Sequence, residues 1–163
     1  MTQIAPARPY VRRDEEGDSL WFFGCLLTVK TAGQQTGGRL SVVEFLNPPG
    51  FGPPLHRHTV EDEAFYVLSG TAHVLCGDEE FDAGPGDFVL LPLGLPHTFL
   101  VGPDEPLRSL VITAPAGFER FVAAAGEPAP ERQLPDPGPI DPAAVAQLAA
   151  RYGIETLGPP PHS

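Results

Sequence analysis

Four of the five histidines in this 163-residue chain lie between residues 56 and 97, and three of them have a spacing that, with one carboxylate, suits a single ion: His56, His58, Glu63 and His97. In His56-Arg57-His58 the i, i+2 spacing on an extended strand puts both imidazoles on one face, so two ring nitrogens reach one metal ion and Arg57 points away. Glu63 comes five residues after His58, an odd offset that faces the other side of a straight strand. The chain is therefore expected to turn through 59–62, as a hairpin, and bring Glu63 back inward. Ahead of His97, Pro92, Gly94 and Pro96 force a bend that starts a new strand facing the other three residues. Four ligands then converge from three strands.

Three imidazoles and one carboxylate carry a single formal negative charge. They leave two positions open on a six-coordinate ion, enough for a bidentate substrate or for substrate plus dioxygen. Imidazole accepts Fe, Mn, Co, Ni, Cu and Zn alike, so the expected cofactor is one divalent transition metal of open identity. The competing reading is a set of satisfied polar residues with no ion.

Other residues of chemical interest are weighed the same way. Glu61 and Asp62 precede Glu63 but fall in the expected turn, where a solvated loop explains them, so only Glu63 is given a role. His73 lies on a strand whose alternation sets Ala72, Val74 and Cys76 on one face and His73 with Leu75 on the other, a surface or interface position. Phe65, Leu91 and Phe99 line the interior if alternation holds, either as substrate-pocket walls or as plain core. His162 is expected in solvent, on a Pro-rich tail.

The elements that must position these residues are short. With 18 Gly and 21 Pro beside 42% hydrophobic residues, the composition favours a packed all-β core with many turns. Strands are expected over 19–30, 40–46, 64–68, 71–76, 88–91, 97–101 and 108–113, a cadence that means a sandwich or small barrel. The segment 47–55, with four prolines and two glycines, is a loop that delivers the chain to His56. Phe118, Phe121 and Val122 have helical spacing before Gly126, and Asp141 with Pro142 caps a second helix stopped by Gly153. Residues 1–18 read as an N-terminal arm, 19–126 as a β-barrel domain with a closing helix, and 127–163 as a Pro-rich linker and C-terminal helix.

Charge and cysteine usage exclude several partners. The formal net charge is −11 and Lys30 is the only lysine, so no basic surface exists for nucleic acid or for an anionic membrane. No apolar run is long enough to span a bilayer, and the arginines near the amino terminus have no apolar stretch after them. Cys25 and Cys76 sit apart in apolar runs and read as small core residues, compatible with a reducing, cytoplasmic setting.

The spacing Gly50-x5-His56-x-His58-x4-Glu63-x6-Gly70, then Gly86-x5-Pro92-x-Gly94-x2-His97 after a 15-residue spacer, closely resembles the two-part motif of the cupin superfamily. One departure is Val101, where the second motif usually ends in Asn, a position that is not a ligand. The resemblance implies an antiparallel double-stranded β-helix (jelly roll), with His56, His58, Glu63 and His97 holding the metal. A narrower likeness, through PPLHRH, GFERFVAAAGEPA and RYGIETLGPPP, is to single-domain quercetin dioxygenase-like cupins. It implies a dioxygenase acting on a small aromatic, flavonol- or polyketide-like substrate, with Glu63 taking a substrate proton, and a homodimer. A redox-neutral isomerase, cyclase or lyase and a non-catalytic small-molecule binder are the rival readings.

Overall fold

The structure is a computed structural model that describes residues 8–161. Among the described residues, twelve strands and three helices follow one another as β1 Asp18–Phe22, β2 Cys25–Thr31, α1 Gly33–Thr36, β3 Ser41–Asn47, β4 Leu55–His58, β5 Asp62–Ser69, β6 Ala72–Cys76, β7 Glu79–Ala83, β8 Phe88–Leu91, β9 His97–Val101, β10 Leu107–Ala114, α2 Phe118–Ala125, β11 Glu127–Pro128, α3 Pro142–Ala150 and β12 Ile154–Gly158. The strands form two antiparallel sheets. One runs β11-β1-β2-β3-β10-β5-β8 and the other β12-β4-β9-β6-β7. This is the expected all-β double-stranded β-helix with short C-terminal helices.

Alternation drives the sandwich. In β3 every second residue from Ser41 to Asn47 is buried, and β10 repeats the pattern from Leu107 to Thr113. The inward residues of both sheets meet in one core that includes Leu27, Val43, Val67, Val74, Val101 and Leu107. Each such aliphatic side chain contributes about 1.5–3 kcal/mol by leaving water. Phe118 and Phe121 of α2 close one end of this core, stacked on Phe45 at 6.1 Å and edge-on to Phe22 at 5.4 Å between centroids. Asp141 caps α3 by accepting from the amides of Ala143 and Ala144, and Tyr152 beyond it packs on Phe121.

The structure adds α1 and β11 to the expected elements and departs from them in four further places. The apolar run 19–30 is two strands, because Phe23 and Gly24 both have positive φ (49° and 84°) and make a two-residue hairpin turn between Phe22 and Cys25. β7 is an edge strand whose exposed Glu79, Glu80, Phe81 and Asp82 give no apolar run to notice. The expected hairpin over 59–62 does not form. β4 and β5 lie in different sheets, and residues 59–61 carry the chain across the sandwich. Finally, β12 follows α3 and pairs with β4, so part of the expected linker-and-helix tail is sheet.

β12 bears directly on the histidines. Ile154 pairs with His58, Glu155 with Arg57 and Thr156 with His56, so the strand carrying two candidate ligands has neighbours on both sides. Arg57 and Glu155 form an outward ion pair at 2.7 Å. Further on, the Pro159 carbonyl accepts from Leu55 N–H at 3.3 Å, and Pro161 lies so close to Gly52 that a Cβ there would come within 2.9 Å of it. His162 lies outside the described residues.

Candidate metal centre

His56, His58, Glu63 and His97 come together inside the sandwich, from β4, β5 and β9, with one ligand-capable atom of each within 4.8 Å of the others. His58, Glu63 and His97 are buried and His56 is half-buried. The pairing of β4 with β9 sets His56 opposite His97. Because His56 and His58 are two apart on one strand, their rings share a face, 5.4 Å between centroids.

The loops that flank the site are tied to it. Leu95 N–H donates to the Pro92 carbonyl at 3.1 Å, with Gly94 at φ 81° in the third position, the geometry of a type II turn that a side chain would strain. Gly94 N–H then donates to the His58 carbonyl at 2.9 Å, and Leu93 N–H donates to Asp62 Oδ1 at 2.8 Å. The bend before His97 is thus fastened to His58 itself and to Asp62, the neighbour of Glu63. Val101, at the point where the motif departs, is a buried core residue whose amide donates to Phe51.

Hydrogen bonding sets the direction of all three imidazoles. His56 Nδ1 lies 2.7 Å from the Pro54 carbonyl, His97 Nδ1 3.0 Å from the Leu95 carbonyl, and His58 Nδ1 2.7 Å from Glu61 Oε1. Carbonyl and carboxylate oxygens only accept, so each Nδ1 is the donor and each neutral ring presents a bare Nε2 lone pair. Nε2 of His58, Nε2 of His97 and Oε2 of Glu63 are buried without a hydrogen-bond partner. His58 Nε2 nevertheless stands 2.8 Å from Glu63 Oε2, and His97 Nε2 3.3 Å from the same oxygen. Acceptors pressed together in a dry interior need a cation between them. Ligand atoms around one ion at about 2.1 Å lie about 3–4 Å apart, so the donor set fits a single metal.

The protonation of the same groups follows the same logic. Burial, with help from His97, pushes the His56 pKa down to about 4. Burial also lowers that of His58, but Glu63 and Glu61 outweigh it and lift it to about 9. Burial would raise the Glu63 carboxyl, yet His58 and His97 hold it well below the usual carboxylate range. In the metal-free chain a proton on His58 answers the charge of Glu63, in the place where a metal would.

Glu61 overturns its expected role. Placed by the sequence in a solvated loop, it is 1% exposed, a full participant in the site through His58. The crossing of residues 59–61 between the sheets, instead of a surface hairpin, is what buries it. The one available signal was the i, i+3 spacing from His58. A second residue missed is Phe118, whose ring lies 5.7 Å from that of His58.

The remaining singled-out residues are placed as follows. Phe65 and Leu91 are buried in the hydrophobic core, and partly buried Phe99 packs between Phe65 at 6.0 Å and Phe51 at 6.2 Å. His73 stands on the outside of β6, Nδ1 2.7 Å from Asp82 and Nε2 2.6 Å from Glu80. Cys25 and Cys76 are free and buried. Two surface grooves, one lined by residues from Asp14 to Arg132 and one from Thr71 to Pro103, do not include the four clustered residues. No helix among the described residues is long and apolar enough to cross a membrane.

Comparison with known proteins agrees with this architecture. The model of the cupin domain family matches residues 43–113. Quercetin 2,3-dioxygenase of Bacillus subtilis is 31% identical over 123 residues, which cover 75% of this chain and 36% of that protein. Dimethylsulfoniopropionate lyase of Ruegeria pomeroyi is 32% identical over 91 residues, covering 55% of this chain and 44% of that protein. The chain thus spans less than half the length of these two curated relatives. Among solved structures, a predicted oxalate decarboxylase from Thermotoga maritima superposes with a TM-score of 0.58 at 18% identity, covering 65% of this chain and 98% of the other. That likeness is one of fold.

Proposed function

Residues 43–113 belong to the cupin domain family, and from that premise we propose that the chain is a mononuclear metal-dependent dioxygenase acting on a small aromatic, flavonol- or polyketide-like substrate. The observation that carries the reading is the buried convergence of two unpartnered imidazole Nε2 atoms and the Glu63 carboxylate, with His56 beside them. His56, His58, Glu63 and His97 would hold one divalent transition metal. When bound, the ion would supply Lewis acidity, a redox centre and open coordination positions for substrate.

The chain's own residues do the rest. The Nδ1–H hydrogen bonds hold the three rings in orientation. Phe118 beside His58, and Phe51 with Phe99 near the loop before His56, offer apolar walls for a flat substrate, with Phe65 and Leu91 behind them. Glu63 takes the substrate's hydroxyl proton. Its depressed carboxyl pKa makes it a weak base while it faces His58 and His97, so transfer requires it to swing away from them as substrate arrives.

The likeness to quercetin 2,3-dioxygenase supports oxygen chemistry, and the likeness to a dimethylsulfoniopropionate lyase favours a redox-neutral second reading. Metal-loaded protein with a flavonol in an oxygen electrode separates them. Uptake that tracks substrate loss supports the dioxygenase, and equal turnover under argon supports the lyase or isomerase class. As a homodimer, the chain would meet its copy on the outer face of the larger sheet, where Tyr66 and Leu68 of β5 lie beside Phe88 and Leu90 of the edge strand β8, all exposed.

A further inference from the structure

We propose that Glu61 is a positioning residue of the metal centre: by accepting from His58 Nδ1–H it fixes that ring with Nε2 toward the ion, and it couples α2 to the site. The inference rests on the metal-centre reading above and extends it to a residue that touches no metal.

Three observations carry it. Glu61 and His58 are each 1% exposed, and their 2.7 Å contact is made where no water competes. His58 Nε2 faces Glu63 Oε2 at 2.8 Å, so the Glu61 contact lies on the opposite side of the ring from the ligand cluster. A neutral imidazole has one proton, and a buried carboxylate at Nδ1 decides which nitrogen keeps it, leaving Nε2 free for the metal.

The other oxygen of Glu61 reaches toward α2. Oε2 is buried without a hydrogen-bond partner, and a Cβ added at Gly117, the residue that opens α2, would sit 3.1 Å from it. That is tighter than an ordinary contact, so a side chain at 117 would press on the carboxylate. The α2 helix therefore abuts the site through Gly117, Glu61 and His58 in series, in addition to the contact of Phe118 with His58.

The experiment is zinc binding by chelator competition on the full chain, with nitrogen-resolved NMR of the imidazoles in the zinc-loaded state. Wild type is expected to bind one Zn2+ and to show a downfield, exchange-protected His58 Nδ1–H. Glu61→Ala is expected to weaken binding about 10–100-fold and to lose that protected proton to exchange. Glu61→Gln still offers an amide oxygen, so it should keep the proton protected, shift it upfield and recover most of the affinity. It also keeps the test open should the alanine variant not fold. A merely structural role would lower melting temperature without moving the His58 resonance. Wild-type affinity in Glu61→Ala, or a glutamine variant that binds no better than alanine or loses the His58 proton, overturns this proposal alone. Failure of wild type to bind Zn2+ overturns the metal-centre reading and this proposal with it.

Discussion

His56 of β4 and His97 of β9 stand directly opposite one another in the smaller sheet, their rings 4.4 Å apart between centroids and inclined at 66°. Antiparallel partners share a face of the sheet, so this one register brings together histidines 41 residues apart in sequence. A slip by one residue would send one of them to the outer face. The site is therefore a consequence of strand pairing, and the elements that hold β4 and β9 in register govern its chemistry.

Replacing His58 with alanine removes one of the four candidate ligands and leaves Glu61 buried without its partner. Metal content should fall from near one per chain to below about 0.1, and stability by about 3 kcal/mol, within the 5–15 kcal/mol typical of a domain. Circular dichroism should retain the β spectrum, since the interior built on Leu27, Val43 and Val67 does not include the ion. Loss of the β spectrum would show that the fold depends on the site.

A stop after Gly153 deletes β12 and uncovers β4. Ile154 is 4% exposed, and losing its burial and the ladder to His56 and His58 should lower stability by about 2–3 kcal/mol. The two histidines lose their outer neighbour, so metal affinity should drop about tenfold as their strand loosens. Thermal melts and metal titration check both, and unchanged affinity would show that β9 alone fixes β4.

Neither thiol should react in the folded protein. Burial pushes Cys25 up to about 12, against the lowering effect of the Asn47 amide at 3.1 Å, and burial also raises Cys76. The thiolate is the nucleophile, so a maleimide-type reagent at neutral pH should label less than about a tenth of either site until denaturant is added. Rapid labelling of the native chain would contradict the packing around them.

His73 should titrate above its ordinary value, through its hydrogen bonds to Asp82 and then Glu80. Because the folded pKa is raised, its contribution to stability is fully present below the unfolded pKa of about 6.5 and is lost as pH rises through the folded value. The group is exposed, so salt should shrink the effect. Proton NMR of the imidazole, with Asp82→Asn returning the midpoint toward normal, makes the check. A midpoint at or below the ordinary value would show that the pair does not form in solution.

If the outer apolar face joins two copies, replacing Phe88 and Leu90 with lysine should convert a dimer to a monomer in sedimentation without changing metal content. A wild-type chain that sediments as a monomer at micromolar concentration would remove that part of the proposal.

How much of this was legible before the structure depends on which interactions were local. The i, i+2 pair His56 and His58 and the Pro92–Pro96 bend could be read directly, because strand periodicity and proline geometry act within a few residues. The strand cadence gave a sandwich or small barrel, and the resemblance to the cupin motif implied the double-stranded β-helix. The path from His58 to Glu63 was misjudged, since nothing local distinguishes a hairpin from a crossing between sheets, and Glu61 was misplaced with it. β7 and β12 escaped because their own residues are mostly charged or small. β7 is hairpinned to its neighbour β6, and β12 takes its strand form from β4, far back along the chain. Phe23, a bulky residue at positive φ, hid a turn inside what reads as one apolar run.

The most direct test of the central claim is metal content, by plasma mass spectrometry, of chain purified without chelator or added metal, beside the His97→Ala variant. His97 contributes a buried, unpartnered Nε2 and lies opposite His56, so its loss should empty the centre. The account predicts close to one first-row transition metal per wild-type chain and next to none in the variant. A wild-type chain that carries no metal and takes up none when offered would contradict it.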